Sequence, residues 1–262
     1  MTDQLLVETA GAVGWITFNN PAKHNALSVA MWRALPEALD RLEADPAIRV
    51  IVLKGAGEKA FVSGADISEF ATERASADAV AAYDELAEGA TQRLRNADRP
   101  TIAMIRGYCM GGGLGLAIAC DLRIAAAGAT FAIPAARLGV GYRVGSLKLL
   151  TDLVGPAFAK EILITARRLN ATEAERIGLI NKAVPDDTLA EEVERYCSAI
   201  AANAPLSMRA SKHMIAELAR SGAEGVDTAL CEDLVTACFT SADYTEGRTA
   251  FMEKRPPKFK GR

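Results

Sequence analysis

Two glycine-rich stretches carry the residues best suited to chemistry. The first is Phe61-Val62-Ser63-Gly64-Ala65-Asp66, and the second is Gly107-Tyr108-Cys109-Met110-Gly111-Gly112-Gly113. Each follows an apolar run that reads as a buried strand. Small residues at such a point let a ligand approach the main chain. Main-chain N–H groups at the ends of parallel strands, beside a helix start, point toward a negative oxygen. Two such groups from different loops would hold the charge of an oxyanion. The simpler alternative for each stretch is a tight turn. Finding both after successive strands favours a built site.

Other chemistries lack their residues. Gly55-Ala56-Gly57-Glu58-Lys59-Ala60 follows a strand with GxGxxA spacing. A dinucleotide loop needs a helix to start inside that motif, and Phe61-Val62-Ser63-Gly64 is not helical. A phosphate-binding loop of the Gly-Lys-Ser/Thr type is absent, as is the GxSxG elbow of serine hydrolases. Cys109, Cys120, Cys197, Cys231 and Cys238 form no CxxC pair, and His24 lies far from His213. Zinc needs clustered thiolates and imidazoles, so no metal site is expected. Free, mostly buried thiols in a reducing compartment are expected instead.

The elements that position these loops follow from periodicity. Leu5–Glu8 and Val13–Phe18 read as a hairpin around Gly11. Ser28 can cap a helix with Met31, Leu35, Leu39 and Leu42 on one face, and Pro36 inside it should kink it or cost it a bond. Arg49–Lys54 is a continuous apolar strand of the kind buried on both faces. Ala77–Ala97 reads as a long helix ended by Pro100. Thr101–Ile105 is a further buried strand, Gly111–Gly113 leads into a short apolar helix through Ala119, and Leu122–Ala125 is a strand again. This alternation implies parallel strands with right-handed crossovers. After about Ser146 the pattern predicts helices alone: Ser146–Leu153, Ala157–Ala166, Thr172–Ile177, Leu189–Asn203, Pro205–Arg220, Ala223–Ser241 and Tyr244–Glu253. Thr172 and Glu175 have capping-box spacing. Asp66 is expected to cap a following helix, and Asp121 to be a buried structural carboxylate.

Composition fits a globular chain. It has 262 residues, 50% hydrophobic and 24% charged, with net charge −3. Acidic and basic residues alternate without a basic stripe and aromatics reach only 6%, which argues against nucleic-acid binding. Met1-Thr2-Asp3-Gln4 opens no secretory signal. The longest apolar runs are six to ten residues, against roughly 20 for a membrane span. A cytoplasmic protein without membrane contact is expected.

Five segments, in order along the chain, resemble the crotonase (enoyl-CoA hydratase/isomerase) superfamily. Asn20–Ser28 is similar to its NxPxxxNAL entry, Phe61–Ile67 (FVSGADI) to its first oxyanion loop, and Ile105–Asp121 (IRGYCMGGGLGLAIACD) to its second. Ala171–Val184 and Phe251–Phe259 (FMEKRPPKF) resemble its later signatures. The resemblance implies an α/β spiral of repeated ββα units with a C-terminal helical trimerisation domain, divided at residues 1–200 and 201–262. It implies trimers or dimers of trimers, acyl-CoA thioesters as ligands, and no cofactor beyond the CoA carried by the substrate. Ala65 and Gly112 would supply the oxyanion N–H groups. Substrate or CoA contacts would fall on Lys23, Ala26 and Leu27, on Ser63, Gly64, Ala65, Asp66 and Ile67, and on Gly111, Gly112 and Gly115. Pro134, Ala135 and Leu138 would follow, then Phe251 and Lys254 near the end. Lys23 and Lys254 are equally readable as solvated lysines.

The chain departs from the family pattern at its acid–base positions. Hydratases of the family carry one glutamate in GGGxE, where this chain has Gly115. They carry another after the proline of FxxPE, where it has Ala135. Such groups contribute roughly 10²–10⁴-fold each. Tyr142 becomes the leading candidate for a functional side chain, with a core or rim tyrosine as the alternative. Arg143 and Arg137 could pair with a carboxylate or phosphate. Leu138–Tyr142 (LGVGY) is similar to a segment of methylmalonyl-CoA decarboxylases, whose chemistry forms an enolate without a base; those enzymes have a histidine where this chain has Ala65. The GGGLG of 4-chlorobenzoyl-CoA dehalogenases is shared, but their nucleophilic aspartate falls at Arg143, which excludes that attack. Three readings stand: an enoyl-CoA hydratase with an atypical site, an acyl-CoA decarboxylase, and a non-enzymatic acyl-CoA-binding scaffold.

Overall fold

The computed structural model describes residues 2–69, 76–221 and 225–262. The chain opens with a hairpin, β1 (Leu5–Ala10) and β2 (Val13–Phe18), paired antiparallel across Gly11. Helix α1 (Val29–Ala44) starts at Ser28, whose hydroxyl accepts from the Met31 N–H at 3.2 Å. Met31, Leu35, Leu39 and Leu42 share its buried face, and Pro36 is accommodated within the helix. Burying each such side chain is worth about 1.5–3 kcal/mol.

Three ββα units follow. The first is β3 (Val50–Gly55), β4 (Ala60–Val62) and α2 (Ala77–Arg95). The second is β5 (Thr101–Ile105), β6 (Tyr108–Met110) and α3 (Gly112–Ala119). The third is β7 (Leu122–Ala126), β8 (Thr130–Ala132) and the single turn α4 (Ala135–Leu138). Each unit gives one strand to each of two sheets. With β9 (Leu169–Asn170) and β10 (Lys182–Val184), the larger sheet has the order β1-β2-β3-β5-β7-β10 and the smaller β4-β6-β8-β9. Apart from the β1–β2 and β8–β9 pairs, neighbouring strands are parallel. This is the expected spiral of ββα units.

The continuous apolar character of β3 has a direct cause. Ile51 and Leu53 enter the main core, whereas Val50 and Val52 face a second core with Ile102, Ile124, Leu189, Val193 and Cys197. Both faces of the sheet are therefore covered, the second by α7 (Leu189–Ala201).

Periodicity alone is corrected in two places. Strands do not stop after Ser146: β9 (Leu169–Asn170) and β10 (Lys182–Val184) add to the edges of the two sheets. At two and three residues they are too short to show a period, and pairing with β8 and β7 makes them strands. The two predicted helices are both present, running end to end in α5 (Val144–Thr165) on either side of Gly155, whose φ of 73° and ψ of 165° are not helical. The capping box before α6 (Ala171–Arg176) uses Asn170 and Glu173, not Thr172 and Glu175; Glu175 instead accepts from the Ala183 N–H.

Helices α8 (Pro205–Ser221), α9 (Thr228–Phe239) and α10 (Ala242–Glu253) complete the chain. The start of the predicted Ala223–Ser241 helix lies in part outside the described residues. Asp121 is structural but not buried. It accepts from the Thr101 N–H and hydroxyl and from Lys212 of α8, which ties the helical end to the core. The five cysteines are free, and Cys109, Cys120 and Cys197 are buried. Burial pushes the Cys120 thiol up to about 12. Among the described residues no helix is long and apolar enough to cross a membrane, and no cluster suits a metal ion.

Candidate active site

The site begins with the entry loop. Asn25 is fully buried with a left-handed φ of 58°, which asparagine tolerates better than most residues. Its amide donates to the Ala56 and Ala60 carbonyls at 2.9 and 2.8 Å, and its oxygen accepts from the Asn20 N–H. These bonds fasten the loop to the β3–β4 turn. The next residues then lie against the first glycine-rich loop. The Leu27 N–H donates to Gly64 and the Asp66 N–H donates to Leu27, both at 2.8 Å, in a parallel bridge between Leu27 and Ala65. Such a bridge uses the groups on either side of Ala65, so the N–H of Ala65 itself points away from Leu27.

Lys23 and Asp66 hold this loop from outside. Lys23 Nζ lies 2.7 Å from both Asp66 Oδ2 and Ser68 Oγ. Asp66 also accepts from the Ser68 N–H and hydroxyl, capping the 3₁₀ turn Ile67–Glu69 rather than an α-helix. Burial pushes the Asp66 carboxyl up, but the bonds from Lys23 and Ser68 outweigh it and hold it below its usual range. Glu69 accepts from the Val29 N–H at 2.9 Å and so fixes the loop to the start of α1.

The second loop meets the first main chain to main chain. Gly111 has φ 51° and ψ −119°, and a Cβ there would sit 3.8 Å from Gly64 Cα. A Cβ on Gly113 would lie 2.3 Å from the Val62 carbonyl oxygen, so no other residue lets α3 start this close to β4. Gly112 is the first residue of α3. Its N–H belongs to the first helical turn, whose donors have no acceptor within the helix.

Ala65 and Gly112 line one cleft of about 190 Å³ that opens to solvent. Trp32 lines it too, and its indole N–H donates to the Tyr83 hydroxyl at 2.9 Å. Of the candidates read from sequence, Gly115, Tyr142 and Arg143 also lie on its wall. Gly115 offers bare main chain there, with open space where a Cβ would be. Arg143 is not free to hold a ligand in this arrangement: its Nε and Nη2 both donate to Asp84 Oδ2, at 2.9 and 2.7 Å.

Other candidates stand behind the wall or away from it. Lys23, Ala26, Leu27, Ser63, Gly64, Asp66, Ile67 and Gly111 build and brace the loops. Ala135 is buried at the start of α4 behind Pro134, whereas Leu138 and Arg137 are exposed. Phe251 and Lys254 are exposed at the end of α10, and Phe251 lines a different cavity with Phe239, Tyr244 and Phe259.

The sequence reading missed the opposite wall. Asp84, Ala87, Glu88, Thr91, Gln92 and Arg95 of α2 all face the cleft. They recur at helical spacing beside the buried stripe of Tyr83, Ala90 and Leu94. That spacing was visible, but nothing in the sequence pairs α2 with α3.

Ala65 and Gly112, from separate glycine-rich loops, thus share one cleft between the buried strands and helices. Comparison with known proteins gives the family. The model of the enoyl-CoA hydratase/isomerase family matches residues 8–262, and the chain belongs to that family. It is 34% identical to the short-chain-enoyl-CoA hydratase of Clostridium acetobutylicum, over 97% of this chain and 96% of that one. It is also 34% identical to the crotonyl-CoA hydratase of Syntrophomonas wolfei, over 98% of each. The crystal structure of an enoyl-CoA hydratase/carnithine racemase from Magnetospirillum magneticum superposes with a TM-score of 0.95 at 39% identity, covering 100% of this chain and 97% of that one.

Proposed function

We propose that the protein binds acyl-CoA thioesters and adds water to a 2-enoyl-CoA, with the N–H groups of Ala65 and Gly112 stabilising the enolate oxygen. The placement of both residues on one cleft carries this reading. As water adds to the β-carbon, charge moves onto the thioester oxygen, where two fixed donors bind it more strongly than they bind the neutral carbonyl. Tyr142 on the same wall would donate a hydrogen bond or proton to the reacting acyl group. The family relationship supports the substrate class.

A second reading keeps the same oxygen site. Gly115 presents only main chain beside the helix start, so a reaction that makes an enolate by losing CO₂ would need no base there. Mixing the protein with crotonyl-CoA and with methylmalonyl-CoA, and weighing the products, separates the two. Water addition supports hydration, and CO₂ loss alone supports decarboxylation. Binding of both thioesters with turnover of neither would leave the scaffold reading.

We also propose that the helices after residue 201 form a homo-oligomeric surface in trimers or dimers of trimers. Ile215, Leu218, Leu230, Phe239, Phe251 and Met252 are exposed there in the single chain. Light scattering tests this: a monomer at working concentration would refute it.

A further inference from the structure

We propose that Glu88 is the acid–base residue of this cleft. The proposal rests on the thioester reading above. Among the described residues, Asp84 and Glu88 are the carboxylates that line the cleft. Asp84 is engaged by two N–H groups of Arg143 on a single oxygen. The guanidinium therefore occupies that oxygen. Glu88 has no hydrogen-bond or ion-pair partner among the described residues. Its Oε1 rests where Gly145 leaves room: a Cβ at Gly145 would lie 2.8 Å from it.

The remaining polar groups of the wall cannot both take and return a proton near neutrality. Arg95 and Arg143 do not deprotonate in proteins. The Thr91 hydroxyl donates to the Ala87 carbonyl, the Gln92 amide donates to Asn96, and the Ser146 hydroxyl, also on the wall, needs a separate base to take its proton. The phenols of Tyr83 and Tyr142 can donate a hydrogen bond, but a neutral phenol is a weak base. The charged groups facing Glu88 are thus Asp84 and Arg95 on its own helix and Arg143 at the start of α5. Helix α3 presents Gly112, Gly115 and Ile118 without charge.

Position agrees with the role. Tyr83, tied through Trp32 to the wall near Gly112, marks the level of the oxygen site: Trp32 Cζ2 lies 3.7 Å from where a Gly112 Cβ would be. Glu88 is five residues further along α2, about 7.5 Å along the axis. A glutamate side chain and one intervening water can cover such a span. Glu88 is also exposed, so water reaches it. The step balances. Glu88 accepts a proton from water as the water oxygen bonds to the β-carbon and the π electrons move onto the thioester oxygen. The enolate then collapses, and the Glu88 carboxylic acid returns the proton to the α-carbon, restoring the carboxylate.

Glu88→Gln, Glu88→Asp and, as a neighbour outside the cleft, Glu85→Gln are to be compared with wild type. The readouts are turnover of crotonyl-CoA across pH, and calorimetric binding of the saturated thioester butanoyl-CoA. Glu88→Gln should lose 10²–10⁴-fold in kcat and the acid limb of the rate profile, with butanoyl-CoA binding and melting temperature retained. Glu88→Asp should recover part of the rate, and Glu85→Gln all of it. Full turnover in Glu88→Gln, or a parallel loss of thioester binding, overturns the assignment alone. A wild-type protein that binds butanoyl-CoA yet adds no water overturns the step and leaves thioester binding intact. Failure of the wild type to bind butanoyl-CoA overturns the thioester reading and this assignment together.

Discussion

Replacing Gly112 by proline deletes one N–H and adds the three carbons of the ring. Gly112 is the first residue of α3, the helical position where proline is best tolerated because that N–H has no helical acceptor. The preceding residue is normally pushed into extended backbone by proline. Gly111 already sits at φ 51° and ψ −119°, the mirror image of that region, which a residue without a Cβ adopts freely. The new Cβ would lie 3.4 Å from Leu27 Cδ1, a methyl end that need give only slightly. Reduced freedom of the unfolded chain returns about 0.4–1 kcal/mol. Stability should therefore change by no more than about 1 kcal/mol, or about 2–4 °C in Tm for a chain of this size. Activity should respond very differently. Loss of one oxyanion donor costs about 2.7–4 kcal/mol, or 10²–10³ in kcat. Gly112→Ala places a Cβ at the same point and keeps the N–H, so it serves as the control. Steady-state turnover of crotonyl-CoA with parallel thermal melts reads both quantities. A folded Gly112→Pro protein with wild-type turnover would refute the donor role. So would a Gly112→Ala protein as slow as Gly112→Pro, because the loss would then follow the added carbon and not the missing hydrogen.

The remaining tests address other parts of the structure. Tyr142→Phe should lower kcat by up to about 10-fold, since a hydrogen bond gained in the transition state is worth up to about 1.5 kcal/mol, while Tm stays near wild type. Equal turnover would reduce Tyr142 to a packing role. Gly113→Ala should cost about 1–3 kcal/mol by overpacking, because its Cβ meets main chain at Val62 rather than a side-chain tip; an unchanged melt would mean that α3 can withdraw from β4. The Glu246 carboxyl is held down to about 2 by hydrogen bonds from the Arg255 side chain and the Lys258 N–H. Its folded value lies below its unfolded one, so its stabilisation is complete above about 4.5 and is lost as pH falls toward 2. The melting temperature of Glu246→Gln should fall less steeply across that window than wild type, and parallel slopes would refute the pairing.

The parts legible in sequence are those whose cause is local. Asn25 and Gly111 need left-handed backbone, and Gly113 needs to lack a side chain, so their types mark the loops wherever the chain is read. The continuous apolar run of β3 announces a sheet covered on both faces. The strands β4, β6 and β8 are three residues each, and β9 is two. Nothing periodic marks them, and their partners make them strands. The wall formed by α2 is illegible for the same reason. Its polar residues have the spacing of an ordinary solvated face, and only the packing of α2 across α3 turns that face into the lining of a cleft.

This difference explains how the oxygen site and the proton carrier can vary separately. The donors proposed at Ala65 and Gly112 are main-chain groups whose directions would come from the Leu27 bridge, the Gly111 backbone and the contact of Gly113 with Val62. Changing any of these moves the loops themselves. A carboxylate needs only a position on the cleft wall within reach of the β-carbon or of a bound water. The wall is supplied by α2, α3 and the start of α5, and each has several positions on it. On the proposed reading, Gly115 and Ala135 can therefore lack carboxyl groups without dismantling the enolate site. Placing glutamate at 115 in a Glu88→Gln background tests this directly. A Cβ at Gly115 meets open space, so the side chain fits without displacing a neighbour. Restored crotonyl-CoA hydration would establish that the proton carrier is movable on a fixed oxygen site. A folded double variant that binds butanoyl-CoA but remains inactive would mean that proton transfer depends on the particular approach from α2.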